Sequence, residues 1–311
     1  MADDRSGSSL PASIKLAPVS APSRRWPAPL RPGDVVRVIA PGGPYEPSRL
    51  DQGADILRSW GLTVRFEHAA GADHRLSYLS ADDQSRADDL VSAWCDPDCR
   101  AVWAVRGGYG SQRMVDRLDM QALRAAGPRH LVGFSDVTAL HGRIGRQLGQ
   151  VTIHGPGIGS VEQLRDHSSA EALQRLIMTA ALPGLVLASG HTFIPGAATG
   201  RLWGGNLSLL ASEVGIEPVP DERSVLIIED VGEESYRIDR MLTQLARAGW
   251  LDQVVGVGVG QFSGNPTPHL LEHVLADRLA NLGVPVICGL EVGHGSRNVA
   301  LPLGAQVSIS A

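Results

Sequence analysis

HLVGFSDVTAL, residues 130–140, joins a short apolar run to a glycine, a lone serine and a segment with apolar residues at helical spacing from Val137 to Leu148. A strand, a sharp turn with a serine at its tip and a helix together expose a nucleophile at the carboxyl edge of a sheet. The G-x-S-x-G signature of such turns is half present, because Val137 replaces the second glycine. Taken alone, the stretch favours a helix-capping Ser135 over a catalytic one.

Apolar runs alternate with helical patterns on both sides of this stretch. The runs at 35–40, 101–105, 131–134 and 152–154 each lead into a loop that carries glycine, proline or serine. Strands that alternate with helices predict a parallel sheet with its ligand chemistry at the carboxyl edge of the strands. We therefore predict an N-terminal α/β domain over residues 30–159, with the strand–turn–helix elbow at Ser135 on this edge of the sheet.

The second half of the chain has a different pattern. Residues 160–198 read as a connecting segment, and from residue 199 short strands surround two amphipathic helices. This pattern predicts a smaller, β-rich and barrel-like C-terminal domain of mixed α/β structure over residues 199–311. Residues 1–29 are rich in Ser, Ala and Pro without an apolar core segment, so we expect a disordered leader rather than a signal peptide.

Composition excludes several classes of function. A net charge of -5 offers no basic surface for nucleic acid, and no apolar stretch reaches the length of a membrane span. The three cysteines include a C-x-x-x-C spacing with no second pair, which argues against a zinc site and against a disulfide framework. We expect a cytoplasmic protein without a metal or cofactor.

Candidate partners for Ser135 lie in the second half. Glu229 follows the uninterrupted apolar run 225–228, and acids at a strand end fall at the sheet edge where function collects. His294 stands between two glycines, so it can approach another group closely. Among rivals, His141 is expected to be a surface or capping histidine and His154 a wall of the cleft.

A serine, a carboxylate and a histidine in loops at sheet edges can form an acyl-transfer triad. The order Ser135, Glu229, His294 matches that of α/β-hydrolases, although chain order alone does not decide between folds. Asn206 is predicted to cap a short helix, with a role in shaping the site as the alternative.

With these residues in place, the chain from about residue 31 to 311 resembles the LD-carboxypeptidase family of serine peptidases, which includes the microcin-immunity peptidases. Each motif is weak alone, and their shared order makes the resemblance specific. The resemblance rests on Arg31-Pro32-Gly33-Asp34 with Ile39-Ala40-Pro41, Arg106-Gly107-Gly108-Tyr109-Gly110, residues 133–140, His154-Gly155-Pro156, Trp203-Gly204-Gly205-Asn206, Ile228-Glu229-Asp230 with residues 236–240, and Gly293-His294 with residues 301–304.

The resemblance implies roles for particular residues. Ser135 corresponds to the nucleophile, Glu229 to the orienting acid and His294 to the base, and the family does not use a second glycine at position 137. The backbone N–H groups of Gly108 and Asp136 correspond to the oxyanion hole. The chain departs from the family at Gly42, where a serine usually follows the first Ala-Pro. This departure weakens the case for a substrate contact by a side chain at position 42.

The resemblance also implies an activity. The expected enzyme is a homodimeric serine carboxypeptidase that cleaves an L,D-amide bond and releases terminal D-Ala from murein tetrapeptide. An Arg suits the free carboxylate of such a substrate, and among the arginines of this chain we select Arg106 for that contact. One alternative is a microcin-immunity-type hydrolase of aminoacyl-nucleotide conjugates, for which Phe193 could supply an aromatic platform. Another is a non-catalytic module that binds a small anion at the glycine-rich loop.

Overall fold

The computed structural model describes residues 12–18, 23–66, 76–180 and 183–311. These residues form two β-sheets and ten α-helices with the loops that connect them. The strands are β1 Ala12–Leu16, β2 Val35–Ile39, β3 Thr63–Phe66, β4 Cys99–Ala104, β5 His130–Gly133, β6 Thr152–His154, β7 Val186–Ile194, β8 Ala197–Asn206, β9 Ser224–Val231, β10 Val254–Ser263, β11 Val286–Cys288, β12 Leu301–Leu303 and β13 Gln306–Ser310. The helices are α1 Pro47–Ser59, α2 Asp83–Cys95, α3 Ser111–Met114, α4 Met120–Ala126, α5 Thr138–Leu148, α6 Val161–Arg165, α7 His167–Met178, α8 Leu207–Ser212, α9 Ser235–Arg247 and α10 Pro268–Leu279.

The first sheet has six strands in the order β12-β6-β5-β4-β2-β3. The five strands from β2 to β6 run parallel, and β12 pairs antiparallel with β6. Strands β2, β5 and β6 are buried along their whole length because helices cover the sheet, which explains the apolar residues that dominate β2 and β5. The predicted N-terminal parallel sheet is confirmed.

The second sheet closes into a barrel in the order β1-β13-β8-β9-β10-β11-β7. Strands β8 to β11 run parallel to one another, and β1, β7 and β13 pair antiparallel. Residues that face inward from β9 and β13, such as Ile227 and Ile309, are buried. The predicted barrel-like C-terminal domain of mixed α/β structure is confirmed.

The predicted disordered leader, residues 1–29, is wrong in its described part. Ala12–Leu16 forms β1, which lies between β13 and β7 and closes the barrel. The alternation of apolar Ala12, Ile14 and Leu16 with Ser13 and Lys15 fits a strand, but five residues among prolines and serines are too few to stand out. Residues 1–11 and 19–22 lie outside the described residues.

The predicted connecting segment, residues 160–198, also differs from the structure. It contains helices α6 and α7, but its last part is β7, a full strand of the barrel. In return β12, from the C-terminal half, adds the edge strand to the first sheet. The two units therefore exchange strands, since β1 joins the barrel and β12 joins the first sheet. A sequence pattern does not reveal this, because the hydrogen-bonded neighbours of β7 and β12 lie far away along the chain.

One hydrophobic cluster extends through both units. It joins Trp103 and Val132 of the first sheet to Ile14, Ile227 and Ile309 of the barrel. A second link is polar, because the backbone N–H of Asn206 donates to Oγ1 of Thr138 at the start of α5. The barrel is thus packed directly against the serine turn. No described helix is long and apolar enough to cross a lipid bilayer.

Candidate active site

Ser135 sits in a strained turn directly after β5. Its φ of 63° is the only positive φ among the described residues other than glycine. Such a conformation costs of order 1–3 kcal/mol and is retained where the surroundings enforce it. Gly133 makes the turn possible, since a Cβ there would lie 3.0 Å from the Cγ atoms of Val137. The result is a half-buried hydroxyl held at the carboxyl edge of the sheet.

The glycine-rich loop after β4 lies against this turn. A Cβ on Gly107 would come within 2.9 Å of both the backbone nitrogen of Asp136 and Cβ of Ser135. Gly108 follows with a φ of 106°, a conformation that favours glycine. The backbone of Gly107 therefore lies directly against the serine turn, with no room for a side chain between them.

The side chain of Asp136 ties the two segments together. Its buried Oδ2 accepts a hydrogen bond from the backbone N–H of Ser111 at 2.8 Å. Burial raises the pKa of this carboxyl above its ordinary value, and the hydrogen bonds from Ser111 offset only part of that effect. Buried Arg86 supports the same loop, because its Nη1 donates to the carbonyls of Pro41 and Gly110.

Three side chains from separate parts of the chain form a hydrogen-bonded row. Nδ1 of His294 lies 2.7 Å from Oε2 of Glu229, and Nε2 of His294 lies 3.0 Å from Oγ of Ser135. A carboxylate oxygen can only accept, so Nδ1 carries the proton and Nε2 is free to accept the serine O–H. The structure thus brings together the serine, acid and histidine singled out in the sequence.

Glu229 is fully buried within β9 and remains ionised for a definite reason. Burial alone would raise the pKa of its carboxyl, but the opposing effects of His154 and His294 leave that pKa below the ordinary 4.5. Glycine makes room for the acid, because a Cβ on Gly293 would lie 2.7 Å from Oε2. A charged carboxylate therefore faces Nδ1 of His294.

Three side-chain amides hold the loop that carries His294. Nε2 of Gln163 donates to the carbonyls of Gly293 and Gly295 at 3.1 and 2.9 Å. Oε1 of Gln261 accepts from the N–H of Gly295, and Oδ1 of Asn298 accepts from that of Gly293. Sequence reasoning missed all three amides, because isolated Gln and Asn residues carry no local pattern that marks them.

Comparison with known proteins now decides the family. The model of the LD-carboxypeptidase N-terminal domain matches residues 36–155, and that of the LD-carboxypeptidase C-terminal domain matches residues 199–309. The chain belongs to the LD-carboxypeptidase family. The resemblance inferred from the sequence motifs is confirmed.

Individual relatives agree with this assignment. A predicted carboxypeptidase of Streptomyces coelicolor is 43% identical over 288 residues, which cover 92% of this chain and 93% of the relative. The murein tetrapeptide carboxypeptidase of Pseudomonas aeruginosa is 32% identical, over 86% of this chain and 91% of its own. The crystal structure of muramoyltetrapeptide carboxypeptidase from Oxalobacter formigenes superposes with a TM-score of 0.75 at 28% identity, covering 89% of this chain and 99% of that one.

A cleft of about 490 Å³ opens in front of the serine in this LD-carboxypeptidase. Arg106 is exposed at its edge and donates to the carbonyl of Pro44 at 3.2 Å, and it forms no ion pair within the described part of the chain. Arg49, by contrast, is paired with Glu162. The cleft is lined by Tyr45, Glu46, Arg49, Val105, Arg106, Gly107, Gly108, Phe134, Ser135, Gly159, Ser160, Glu162, Gln163, His294 and Gly295.

Gly42, where the chain departs from the family pattern, packs against the glycine-rich loop. A Cβ there would lie 2.6 Å from the carbonyl oxygen of Gly107 and 2.7 Å from Oδ2 of Asp136. A serine at this position would displace the loop, so the departure fits the local packing of this LD-carboxypeptidase.

Two histidines differ from their predicted positions. His141 is not a surface residue, because it is buried and its Nε2–H donates to the carbonyl of Gly133 at 2.9 Å. Helix α5 turns this side chain back under the serine turn. His154 is fully buried behind Phe134 and does not line the cleft, so it is not a cleft wall.

Two further residues singled out in the sequence are Asn206 and Phe193. Asn206 caps α8 as predicted, since its Oδ1 accepts from the N–H of Leu209, and its Nδ2 also donates to Asp230. Asp230 thereby supports the helix next to the site, a contact that the sequence did not reveal. Phe193 lies on β7, packs against the hydrophobic cluster between the barrel strands and helices α8 to α10, and is absent from the lining of the cleft.

Proposed function

We propose that Ser135, His294 and Glu229 form the catalytic triad of a serine carboxypeptidase that cleaves an L,D-amide bond. The observation that carries the proposal is the placement of His294, which hydrogen-bonds Glu229 with one ring nitrogen and Ser135 with the other. This is the arrangement required for a base that takes the serine proton while a carboxylate fixes its tautomer.

The reaction proceeds in two halves. Oγ of Ser135 attacks the scissile carbonyl carbon while Nε2 of His294 takes the hydroxyl proton. As the tetrahedral intermediate collapses, His294 gives this proton to the leaving amine, and the peptide remains as an ester on Ser135. A water molecule then loses a proton to His294 and attacks the ester, which releases the acid and returns the proton to Ser135.

The oxyanion hole uses the backbone N–H groups of Gly108 and Asp136. Support comes from the close approach of Gly107 to Ser135 and Asp136, which sets the glycine-rich loop beside the nucleophile. Asp136 follows the serine at the start of a helical segment, where N–H groups lack intrahelical partners. Donors fixed before the reaction stabilise the developing negative charge without reorganisation.

We propose murein tetrapeptide as the substrate and terminal D-Ala as the released product. The names of the Pseudomonas aeruginosa and Oxalobacter formigenes relatives support this choice. Such a substrate ends in a free carboxylate, and Arg106 is a cation at the cleft edge without an ion-pair partner among the described residues. A guanidinium suits this task because it can bind a carboxylate with two parallel hydrogen bonds.

Mass spectrometry of tetrapeptide digests tests the function. The wild-type protein is expected to release D-Ala, and Ser135→Ala is expected to lower kcat by on the order of 10⁴ to 10⁶. Ser92→Ala provides a matched control, because Ser92 is exposed on α2 and does not line the cleft. D-Ala release by Ser135→Ala at the wild-type rate would exclude the serine mechanism.

Arg106 gives the carboxylate-binding proposal its own test. Arg106→Gln is expected to raise KM for the tetrapeptide by about 10-fold or more while kcat changes less, because a charge-assisted hydrogen bond to the substrate is lost. Arg165→Gln, a surface change on α6 outside the cleft lining, is the control. An unchanged KM for Arg106→Gln would remove this residue from the proposed site.

A microcin-immunity type of substrate is the second candidate, since that group belongs to the same family. It keeps the proposed triad and replaces the tetrapeptide by an aminoacyl-nucleotide conjugate. The position of Phe193 does not favour it, because the ring packs between the barrel strands and helices α8 to α10 and not in the cleft. Cleavage of aspartyl-sulfamoyl-adenosine without cleavage of tetrapeptide would decide for this candidate.

We further propose that the enzyme works as a homodimer in the cytoplasm, in the recycling of peptidoglycan. The three cysteines are all free thiols, which fits a reducing compartment. Light scattering on the purified protein tests the dimer, with a mass of twice 32.9 kDa expected. Fractionation of cells with an antibody against the protein tests the compartment.

A further inference from the structure

The second carboxylate oxygen of Glu229 raises a question that the triad leaves open. Oε2 accepts from His294, whereas Oε1 is buried without a hydrogen-bond partner among the described residues. A buried ionised oxygen is costly unless a donor faces it. The fold is therefore expected to supply such a donor close to Oε1.

His154 occupies the required place. Its Nε2 lies 3.9 Å from Oε1 of Glu229, and both side chains are almost completely buried. Neither ring nitrogen of His154 has a hydrogen-bond partner in the described part of the chain. The backbone of His154 is held in register between Gly133 of β5 and Leu301 of β12, so the ring is anchored on a rigid element.

The surroundings of His154 favour one partner for its N–H group. Nε2–H of His141 is committed to the carbonyl of Gly133, and burial lowers the pKa of His141 to about 3, which keeps that ring neutral. Phe134 separates His154 from His294, with ring centroids 6.0 and 4.9 Å from the two imidazoles. Glu229 is thus the charged group that faces His154.

We propose that His154 is a positioning residue for the triad: its imidazole donates Nε2–H to Oε1 of Glu229 and keeps Oε2 directed at Nδ1 of His294. The inference rests on the proposed function of Glu229. It requires the separation of Nε2 and Oε1 to shorten from 3.9 Å to about 2.9 Å. Since His154 does not line the cleft, it acts on the rate through Glu229 and leaves substrate binding alone.

Two amide variants separate a donor role from simple filling of space. The amide of glutamine reaches the position of Nε2, whereas the shorter asparagine reaches only that of Nδ1. His154→Gln is expected to keep kcat within about 3-fold of wild type, and His154→Asn and His154→Leu to lose about 10-fold to 100-fold at unchanged KM. Equal kcat values for the Gln and Asn variants, or full activity of His154→Leu, would overturn the inference.

The pH profile adds a readout that a packing defect would not move. The contact with His154 is one cause of the lowered pKa of Glu229. Its loss in His154→Leu is expected to shift the acidic limb of kcat/KM to higher pH, with wild-type behaviour retained by His154→Gln. An unshifted limb in a folded His154→Leu protein would count against the proposed contact.

Proton NMR separates this inference from the proposed reaction. A proton shared between Nδ1 of His294 and Glu229 gives a far-downfield resonance in the resting enzyme, whatever its substrate. We expect this resonance to persist in His154→Gln and to shift or broaden in His154→Asn. If wild type releases no D-Ala but this difference is seen, the proposed function fails and the inference about His154 stands; identical spectra of the two variants would refute the inference.

Discussion

At the scale of single residues, the site depends on how closely backbone can approach the serine. Gly107 lies so close to the serine turn, and Gly293 so close to Glu229, that neither position has room for a Cβ atom. In both places the absence of a Cβ lets main chain or carboxylate reach a position needed by the proposed chemistry. Small substitutions here should therefore impair activity more than stability.

Gly107→Ala tests the approach of the glycine-rich loop. The added methyl would meet the backbone nitrogen of Asp136 at 2.9 Å and push the loop away from the elbow. We expect kcat to fall on the order of 10²-fold to 10³-fold, as when one oxyanion donor is lost. Steady-state kinetics with tetrapeptide measures this effect.

Gly142→Ala is the matched control. Gly142 is exposed in α5, and a Cβ there would have no neighbour within 4 Å among the described residues. Alanine should leave kcat unchanged and stabilise the protein by up to about 1 kcal/mol, because it is the better helix former. A loss of activity in the control as large as in Gly107→Ala would show that the loop contact is not special.

Glu229→Gln tests the role of the carboxylate charge while keeping the size and shape of the side chain. The amide has nearly the same shape, but it cannot hold the proton of His294 on Nδ1 as a charged acceptor does. We expect kcat/KM to fall about 10³-fold to 10⁴-fold while the protein remains folded. Circular dichroism checks the fold, and an enzyme with more than a tenth of wild-type activity would contradict the assignment.

The sequence marks some site residues and not others for physical reasons. Ser135 and Glu229 follow apolar runs of the sequence and His294 is flanked by glycines, so each has a local signal. Gln163, Gln261 and Asn298 hold the histidine loop through contacts that span up to 132 positions of the chain. Their role depends on which loops meet in space, and no pattern in one sequence records this.

At the scale of secondary structure elements, the barrel depends on its first strand. β1 completes the ring by pairing with both β13 and β7, and Ile14 points from it into the core. The parallel sheet was predictable because mainly apolar stretches alternate with helical patterns along the first half of the chain. Closure of the barrel was not, since it depends on pairing between residues near opposite ends of the chain.

Ile14→Ala tests the contribution of β1. Ile14 is fully buried, so its truncation is expected to lower the free energy of unfolding by about 2–5 kcal/mol. Lys15→Ala on the same strand, at a partly exposed position, is expected to change it by less than about 0.5 kcal/mol. Urea unfolding measures both values, and equal stabilities would show that β1 is dispensable.

At the scale of the whole molecule, buried histidines are expected to set the sensitivity of the fold to acid. Burial lowers the pKa of His130 to about 4 and that of His141 to about 3, each from an ordinary 6.5. Between its lowered pKa and 6.5, each of these histidines binds a proton only in the unfolded chain. The free energy of unfolding therefore falls as the pH decreases below 6.5. Each group contributes a slope of roughly 1 kcal/mol per pH unit.

Thermal unfolding from pH 7.5 to 5 tests this sensitivity. The double variant His130→Gln, His141→Gln keeps an N–H donor at each site and is expected to show a flatter decline of Tm with falling pH. Glu229 does not interfere in this range, because its lowered pKa confines its effect to below pH 4.5. Exposed His167→Gln serves as control, and a double variant as acid-sensitive as wild type would contradict the account.

The proposed triad is a property of the assembled molecule. Ser135 follows a strand of the parallel sheet, Glu229 lies on a barrel strand, and His294 lies in the segment between β11 of the barrel and β12 of the sheet. The shared core and the exchanged strands hold these parts in one arrangement. Residues that act as a unit lose their effect together when any one is removed.

The most direct test measures D-Ala release from tetrapeptide by Ser135→Ala, His294→Ala and the double variant. If the two side chains act as one catalytic group, each single change costs on the order of 10⁴-fold or more in kcat, and the double variant is no slower than the slower single variant. Losses that multiply in the double variant, or a single variant with nearly full activity, would show that the hydroxyl and the imidazole do not work together.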